Sequence, residues 1–356
     1  MDSNQKPFFS ICIPNYNYGM YIEETIRSVI GQTFSDFEII IADNCSTDNS
    51  LKIIANINDS RIRIIHNKVN VGMSLNLDVA TKYANGDFII LLSSDDLMKP
   101  TALESYHEII EKNFDFDVNN LVLFSSFDII DGYSEILIAD KPSMPNQVKT
   151  SYNNNIIKGI EFYDGVLISG RDAVKVMLKS TLGSTGQFCT TCYSRVLFSK
   201  LEGYSSFASL IADATFIHKL GLNGAMFFYS NRNLFQYRIH NGNNLTATQK
   251  MNNIKLLIDN YLIACNYDKL QLEKIGLSNE DLESTFVNHY IFHGAFWSFV
   301  RGGVLKGIRL LAFGVAAYPN KVLWNIRFLG LNLMVLITPL LGILFKLKKL
   351  LQGNKK

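Results

Sequence analysis

The chain has 356 residues, 47% of them hydrophobic, enough for one large or two modest domains with a substantial core and no disulfide or metal staples. Its 34 basic and 32 acidic residues leave a net charge of +2, and no basic cluster is interleaved with aromatics in the first 300 residues, which excludes nucleic acid as a partner. The cysteines Cys12, Cys45, Cys189, Cys192 and Cys265 are odd in number and the opening from Met1 to Pro7 is polar, so the cytosol is the expected compartment.

In chain order, Phe8 to Ile13 is a short apolar run ending at Pro14, the pattern of a buried parallel strand. A helix follows with Ile22, Ile26, Val29 and Ile30 on one face and Glu23 and Glu24 in its first turn, where the macrodipole favours acids. Glu38 to Ala42 is the second strand. Asp43-Asn-Cys-Ser-Thr-Asp48 stops it with capping residues and leads into a helix carrying Leu51, Ile54 and Ala55. Arg61 to Ile65 is the third strand. After a turn at Asn67 to Gly72, a helix with Leu77, Ala80 and Ala84 on one face runs to Asn85-Gly86, where the glycine suits a left-handed C-cap. Phe88 to Leu92 is the fourth strand.

This alternation predicts a mostly parallel sheet covered by helices on both faces, with ligands bound outside the carboxyl ends of the strands. Asn15 to Asn17, Asp43 to Asp48 and Ser93 to Asp96 each follow such an end, so three polar clusters are expected on one rim. Asp95 and Asp96 stand out, because two carboxylates at the mouth of a buried strand are costly unless a cation neutralises them. Oxygen ligands at an open site suit Mg²⁺ or Mn²⁺ and a substrate bearing phosphates. The alternative reading makes one of them the cap of a helix starting near Leu97, with Pro100 in its first turn. A dinucleotide site lacks its signature, since Pro14-Asn-Tyr-Asn-Tyr-Gly19 stands where GxGxxG belongs.

Ser10-Ile-Cys-Ile-Pro-Asn-Tyr-Asn17, Gln32 to Asp48, Asn70-Val-Gly72, Gly86-Asp87 and Ser94-Asp-Asp96 resemble, in order, the motifs of family 2 glycosyltransferases of the GT-A fold. The resemblance covers roughly residues 8–245. It implies an inverting enzyme that moves a sugar from a nucleoside diphosphate to an acceptor hydroxyl with Mg²⁺ or Mn²⁺. It assigns Pro14, Asn15 and Tyr16 to the base and ribose pocket, Asp43 with its neighbour Asn44 to the nucleotide (Asp43 accepting the base N–H), Asp95 to ribose or metal, and Asp96 to the ion on the diphosphate. Tyr16 otherwise reads as a packed loop aromatic. Two departures stand out: Ser93 occupies the first position of the family's Asp-x-Asp pattern, and the helix after Gly72 begins Met73-Ser-Leu-Asn76 without the basic residue often found there.

In the second half, Leu121 to Ile130 is strand-like, Tyr152 to Ile160 is an asparagine-rich connector, and Gly183 to Arg195 resembles the family segment beside the acceptor. Asp213 opens a helix with Phe216, Ile217 and Leu220 on its apolar face, a placement the helix dipole alone would explain. The resemblance makes Asp213 the general base, Ala212 having replaced the first acid of the family's pair. Gln236 to Thr246 resembles the Tyr-Arg-x-His segment that closes the active site, which implies phosphate contact for Arg238 and metal or diphosphate contact for His240.

From these signs the expected layout is a GT-A domain over 1–250, with nucleotide half 1–100 and acceptor half 101–250, then a helical region over 251–356. Residues 301–356 contain no acid, and Phe328 to Phe345 is uncharged between basic flanks. Eighteen residues with two glycines and Pro339 are short for a span, so the segment near 301–350 reads as monotopic or peripheral on an anionic cytoplasmic surface, with a buried terminal helix or oligomer contact as the alternative. A membrane-seated transferase implies a lipid-linked glycan acceptor in bacterial polysaccharide assembly. Two other classes are weighed against this: a nucleotidyltransferase, which needs a basic glycine-rich phosphate loop absent here, and a non-catalytic membrane adaptor, suggested by Ser93 and Ala212.

Overall fold

The structure, a computed structural model, describes residues 6–112, 114–201, 203–204, 211–240 and 254–331. These gather into two compact units, Met1–Met177 with Gly183–Asp259, and Leu178–Leu182 with Asn260–Lys356. No helix among the described residues is long and apolar enough to cross a membrane; the expectation for 328–345 falls mostly outside them.

The first unit opens with strands β1 (Phe9–Asn15), β2 (Phe37–Asp43), β3 (Ile62–His66) and β4 (Phe88–Leu91), joined by helices α1 (Ile22–Ile30), α2 (Ser50–Ala55) and α3 (Met73–Lys82). All pairings among these strands are parallel, in the order β3-β2-β1-β4. The chain therefore winds outward from β1 to β3 and returns to its other side with β4, leaving a switch-point crevice between the ends of β1 and β4. Burial follows the apolar runs: Ile11, Ile13, Ile39, Ile41, Ile90 and Leu92 all join one core with Ile22, Ile26 and Val29 of α1. β1 continues through Pro14 because its ladder with β4 ends at Cys12↔Leu91, so the missing proline N–H leaves no gap on that side.

Beyond β4 the sheet becomes mixed. β5 (Leu97–Met98), β6 (Leu121–Ile130), β7 (Ile136–Lys141), β8 (Gly159–Phe162), β9 (Gly165–Ser169), β10 (Cys192–Ser194) and β11 (Met226–Arg238) complete it, with β10-β6-β11-β9-β8 continuing from β4. β10 is antiparallel to β4 and β6, whereas β11 runs parallel to β6 over almost its whole length. Helices α4 (Ala102–Ile110), α5 (Asn146–Asn153), α6 (Gly170–Ser180), α7 (Arg195–Ser199) and α8 (Ala212–Leu222) connect these strands. The connector expected at 152–160 thus holds the end of α5 and the start of β8.

Two local expectations are corrected. Leu97 does not begin a helix: Leu97 and Met98 pair with Gln236 and Phe235 of β11, and α4 starts at Ala102. Neither Asp95 nor Asp96 is therefore a helix cap. Gly86 is not a left-handed C-cap either, since α3 ends at Lys82 with Tyr83 as its cap, and positive φ falls instead on Gly72, at +86°, the glycine of the Asn-Val-Gly motif. What requires glycine at 86 is proximity, because a Cβ there would stand 2.6 Å from Ser10 N and 2.7 Å from Phe9 C in the central strand.

The second unit is helical: α9 (Ile254–Asn266), α10 (Lys269–Glu273), α11 (Asn279–Phe286), a π-helical turn (Val287–Phe292), α12 (His293–Val300), α13 (Val304–Ala317) and α14 (Pro319–Leu323). α11 starts at a capping box, Ser278 Oγ accepting from Asp281 N while Asp281 Oδ2 accepts from Ser278 N at 2.9 Å. Leu282, Phe286, Ile291, Ala295 and Phe299 are buried at helical spacing and form its inner stripe.

Gly86→Ala should cost about 1–3 kcal/mol, the usual range for overpacking, because the obstruction is backbone of β1 and cannot swing aside. A fall in the denaturant midpoint with an unchanged slope is the expected result.

Candidate active site

Three loops at the carboxyl ends of β1, β2 and β4 are cross-linked by side chains. Asn15 lies opposite Asp43 in the parallel ladder, and its Nδ2 donates to Asp43 Oδ1 at 2.8 Å. Asp43 Oδ2 accepts from Ser46 N at 3.0 Å and lies 3.0 Å from His66 Nδ1, which makes the Nδ1–H tautomer the donor. Asn17, in the left-handed region at φ +59°, accepts through Oδ1 from Thr47 N at 2.7 Å and Asp48 N at 3.3 Å. The first two loops are thus one rigid piece.

The placement of the nucleotide candidates follows from this lattice. Asp43 has no exposed surface and already accepts three hydrogen bonds, so in this structure it anchors Asn15 and His66 rather than presenting an oxygen to a base. Asn44 is likewise spent. Its Oδ1 accepts from Asn67 Nδ2 and Val71 N, and its Nδ2 donates to Asn70 Oδ1 and Gly72 O, which ties the Asn-Val-Gly turn to the end of β2. Tyr16 remains open with 42% of its surface exposed, which rules out the packed-loop reading, and the His66 side chain is 51% exposed. Pro14 takes part through its carbonyl, which accepts from Ser94 Oγ at 2.6 Å. Asn15 is fully buried, and its Oδ1 has no donor.

The segment Ser93–Asp96 is braced from every side. Thr25 Oγ1 of α1 lies 2.9 Å from Ser94 O and 3.0 Å from Asp96 O, one hydroxyl shared between two carbonyls. Arg238 Nε donates to Asp95 O at 2.7 Å, and the Arg238 backbone N donates to Asp96 Oδ1 at 2.9 Å. Asp95 Oδ2 meets His240 Nε2 at 3.0 Å, and the His240 ring packs 4.5 Å from that of Tyr21 and 6.0 Å from that of Tyr18. Asp96 Oδ2 is buried without a hydrogen-bond partner. Burial first, then the Asp95 carboxylate, holds the Asp96 carboxyl well above the ordinary carboxylate range, against the pull of Arg238 and Ser93.

Arg238 does not have the geometry of a phosphate clamp. It is fully buried, donating through Nη1 to Asp131 O and Ser134 Oγ and through Nη2 to Glu24 Oε2 at 2.7 Å, with its guanidinium 4.9 Å from the Tyr21 ring centroid. It is a strut between α1, the β6–β7 turn and the Asp95–Asp96 loop. Thr25, Tyr18, Tyr21 and His66 were not singled out in the sequence, and Glu24 was read only as a first-turn acid. Thr25 is a buried polar position and Glu24 an exposed first-turn acid of an otherwise ordinary amphipathic helix, and only the tyrosines of Asn15-Tyr-Asn-Tyr-Gly-Met-Tyr21 hinted at an aromatic wall.

Asp213 sits in the first turn of α8, its Oδ1 2.8 Å from Ala214 N, and burial raises its carboxyl above the ordinary range. It shares a neighbourhood with the acidic pair through Tyr237. That phenol is raised by burial and further by Asp96, Cys189, Asp95 and Asp213. Asp95, Asp96 and Asp213 thus act electrostatically on one phenol, the tyrosine of the Tyr-Arg-x-His segment.

Carboxylate oxygens and an imidazole nitrogen are donor types a divalent cation accepts. Asp95 Oδ2 and His240 Nε2 stand at hydrogen-bond distance, 3.0 Å, and Asp96 Oδ2 has no hydrogen-bond partner among the described residues. Among the described residues no three acidic, histidine or cysteine side chains are grouped so as to hold a metal ion, so Asp95, Asp96 and His240 would need further ligands from substrate and water.

With the geometry in view, likeness to known proteins becomes informative. The family profile Glycosyl transferase family 2 matches residues 10–159. This segment belongs to glycosyl transferase family 2. The chain is 32% identical over 126 residues to glycosyltransferase GlyG of Streptococcus pneumoniae, covering 35% of this chain and 41% of that protein. It is 33% identical over 125 residues to UDP-Glc:alpha-D-GlcNAc-diphosphoundecaprenol beta-1,3-glucosyltransferase WfgD of Escherichia coli, covering 35% and 47%. The matches therefore span less than half of either relative. In fold it is similar to S. aureus TarS 1–349 in complex with UDP, with a TM-score of 0.55 at 18% identity over 94% of this chain and 88% of that one. The family 2 segment thus holds the Asn15–Asp43 lattice and the Asp95–Asp96 loop, and the fold is of the GT-A type.

Arg238→Met should strand Asp95 O and Asp131 O and lower stability by roughly 3 kcal/mol. Arg238→Lys should recover little of this, because one ammonium cannot reach four separated acceptors; equal denaturation midpoints for Lys and wild type would refute the strut.

Proposed function

We propose that this chain is an inverting, metal-dependent glycosyltransferase that moves a sugar from a nucleoside diphosphate to a hydroxyl of a lipid-linked or growing glycan in cell-surface polysaccharide assembly. The observation that carries the reading is the braced Ser93–Asp96 loop at the switch point of a family 2 segment, where a buried Asp96 oxygen has no hydrogen-bond partner among the described residues and Asp95 pairs with His240. TarS with UDP bound supports a uridine nucleotide donor, and WfgD, by name a transferase to a diphosphoundecaprenol-linked sugar, supports the lipid-linked acceptor.

Asp95, Asp96 and His240 would hold Mg²⁺ or Mn²⁺. Such a cation, when bound, supplies charge stabilisation to a nucleoside diphosphate leaving group. The chain's own residues do the rest. Tyr16 offers its exposed face to the base, with Pro14 and Asn15 beneath it and Asp43 fixing Asn15. Asp213 takes the proton from the acceptor hydroxyl as its oxygen attacks the anomeric carbon on the face opposite the leaving group. Its raised proton affinity suits that task, because a base works best when its pKa approaches the operating pH. Residues 1–250 would form the transfer domain. Residues 251–356 would seat it peripherally on the cytoplasmic face of the cell membrane, as the acid-free stretch 301–356 and the exposed Trp324, Ile326 and Leu329 suggest.

Incubation with a panel of nucleotide sugars and Mn²⁺ should release nucleoside diphosphate from one donor; silence across the panel with every acceptor fraction supplied would sink the reading. Asp213→Asn should lower turnover by roughly 10²–10⁴-fold, the usual share of a general base, with nucleotide affinity unchanged.

The same variant tests the proton linkage. The folded state binds the Asp213 proton more tightly than the unfolded chain, so the stability this provides is full below the unfolded pKa and is lost as pH rises through the folded one. Asp213→Asn should therefore be the more stable protein at pH 7 and lose its advantage near the ordinary carboxylate value of about 3.9. Denaturation midpoints at the two pH values check the sign.

A further inference from the structure

The helical unit carries a cavity of about 700 Å³ whose wall is mostly apolar, with Phe292, Phe296 and Leu331 on one side and His289, His293 and Arg327 among its polar groups. That volume lies within the range of sites that enclose a small organic ligand. Among the described residues no acidic side chain lines it. Arg327 donates through Nη1 to the amide oxygen of Asn288 at 2.7 Å, and no carboxylate pairs with it among the described residues. Nor does the chain around it supply one, since 301–356 contains no acid.

The two histidines are ordered into a ladder. His289 and His293 stack with ring centroids 5.7 Å apart, and Trp297, four residues further on, donates its indole N–H to His293 Nε2 at 2.7 Å. Because Nε2 accepts, the hydrogen of His293 resides on Nδ1 and is a donor. Burial, then the neighbouring His293, lowers the pKa of His289, and Arg327 provides the formal charge of the wall. His289 lies in the π-helical turn, a rare conformation that recurs at functional sites.

We propose that this cavity is a binding site for a lipid phosphate, an anionic amphiphile whose phosphate is held by Arg327 and the imidazole donors and whose hydrocarbon lies along Phe292, Phe296 and Leu331. Guanidinium and phosphate match in charge and fork geometry, and the apolar wall takes the chain from water. The segment bearing Arg327 also presents Trp324, Ile326 and Leu329 to solvent, a surface from which a membrane lipid can be drawn. The inference goes beyond the transfer reading and rests only on the membrane seating proposed with it.

The full-length protein is titrated with lysophosphatidic acid below its micelle threshold, following the emission of Trp297 and Trp324, the chain's two tryptophans, with calorimetry in parallel. Saturable binding is expected, at least tenfold weaker for Arg327→Gln and for Phe296→Ser, both at exposed positions where folding should persist and is checked by thermal melting. Inorganic phosphate should not bind, because it lacks the chain. Lysophosphatidylcholine of the same chain length should bind at least tenfold more weakly. Equal affinity for the two lysolipids, or an Arg327→Gln variant that binds as well as wild type, would overturn the proposal in favour of a merely apolar surface, as would the absence of saturable binding. Tight binding of inorganic phosphate alone would overturn the amphiphile and leave an anion site.

Discussion

Arg238 must be buried with its charge compensated, and much of the site follows from that constraint. A guanidinium without solvent contact survives only if its donors find acceptors, and here they are Asp95 O, Asp131 O, Ser134 Oγ and Glu24 Oε2. These come from three segments far apart in sequence. Each is held where the guanidinium fork directs it, so the loop bearing the acidic pair cannot drift from α1 or from the β6–β7 turn. The neighbouring backbone N–H of Arg238 fixes one oxygen of Asp96 and leaves the other unsatisfied. A buried carboxylate oxygen without a donor is a standing cost, and it is placed where a cation would remove it.

The sheet makes this possible. β11 lies parallel to β6 and pairs with the two-residue β5 at Phe235↔Met98 and Gln236↔Leu97, so its end is delivered beside the loop that leads into β5. Arg238 is the last residue of β11 and His240 lies two further on, which places strut and metal candidate in fixed relation on one strand end. The Rossmann-like half supplies the crevice; the mixed half supplies the residues that close and tension it.

Much of the first half was legible because its signals are local. The runs at β1, β2, β3 and β4 and the α1 stripe are written in apolar periodicity, and the observed strands differ from the expected ones by one or two residues at the ends. Where the reading failed, a distant partner decided. Leu97 and Met98 look like the opening of a helix until β11 is known to lie beside them, and Gly86 looks like a cap until the backbone of β1 is seen 2.6 Å from its missing Cβ. Arg238 and Asn44 were assigned outward-facing roles by their type and motif, whereas both are spent inside the protein. Sequence names the residues of a site more readily than it separates those that face the ligand from those that hold the others still.

That separation bears on Ser93. With no third acid in the loop, Asp95 and Asp96 are the only carboxylates of the Ser93–Asp96 segment, and they are differently prepared. Asp95 is tethered to His240 through its own oxygen, whereas Asp96 has one oxygen fixed by a backbone amide and one left bare. Asp95 Oδ2 and His240 Nε2 hold each other at hydrogen-bond distance, and under the proposed function an ion would replace that bond. Asp96 would give up a proton to bind. Its buried carboxyl favours the protonated form while it stands alone beside Asp95, and a dication reverses that preference. Under the proposed function His240, from the end of β11, would stand in for the third acid, with the paired Asp95 orienting and Asp96 meeting the ion.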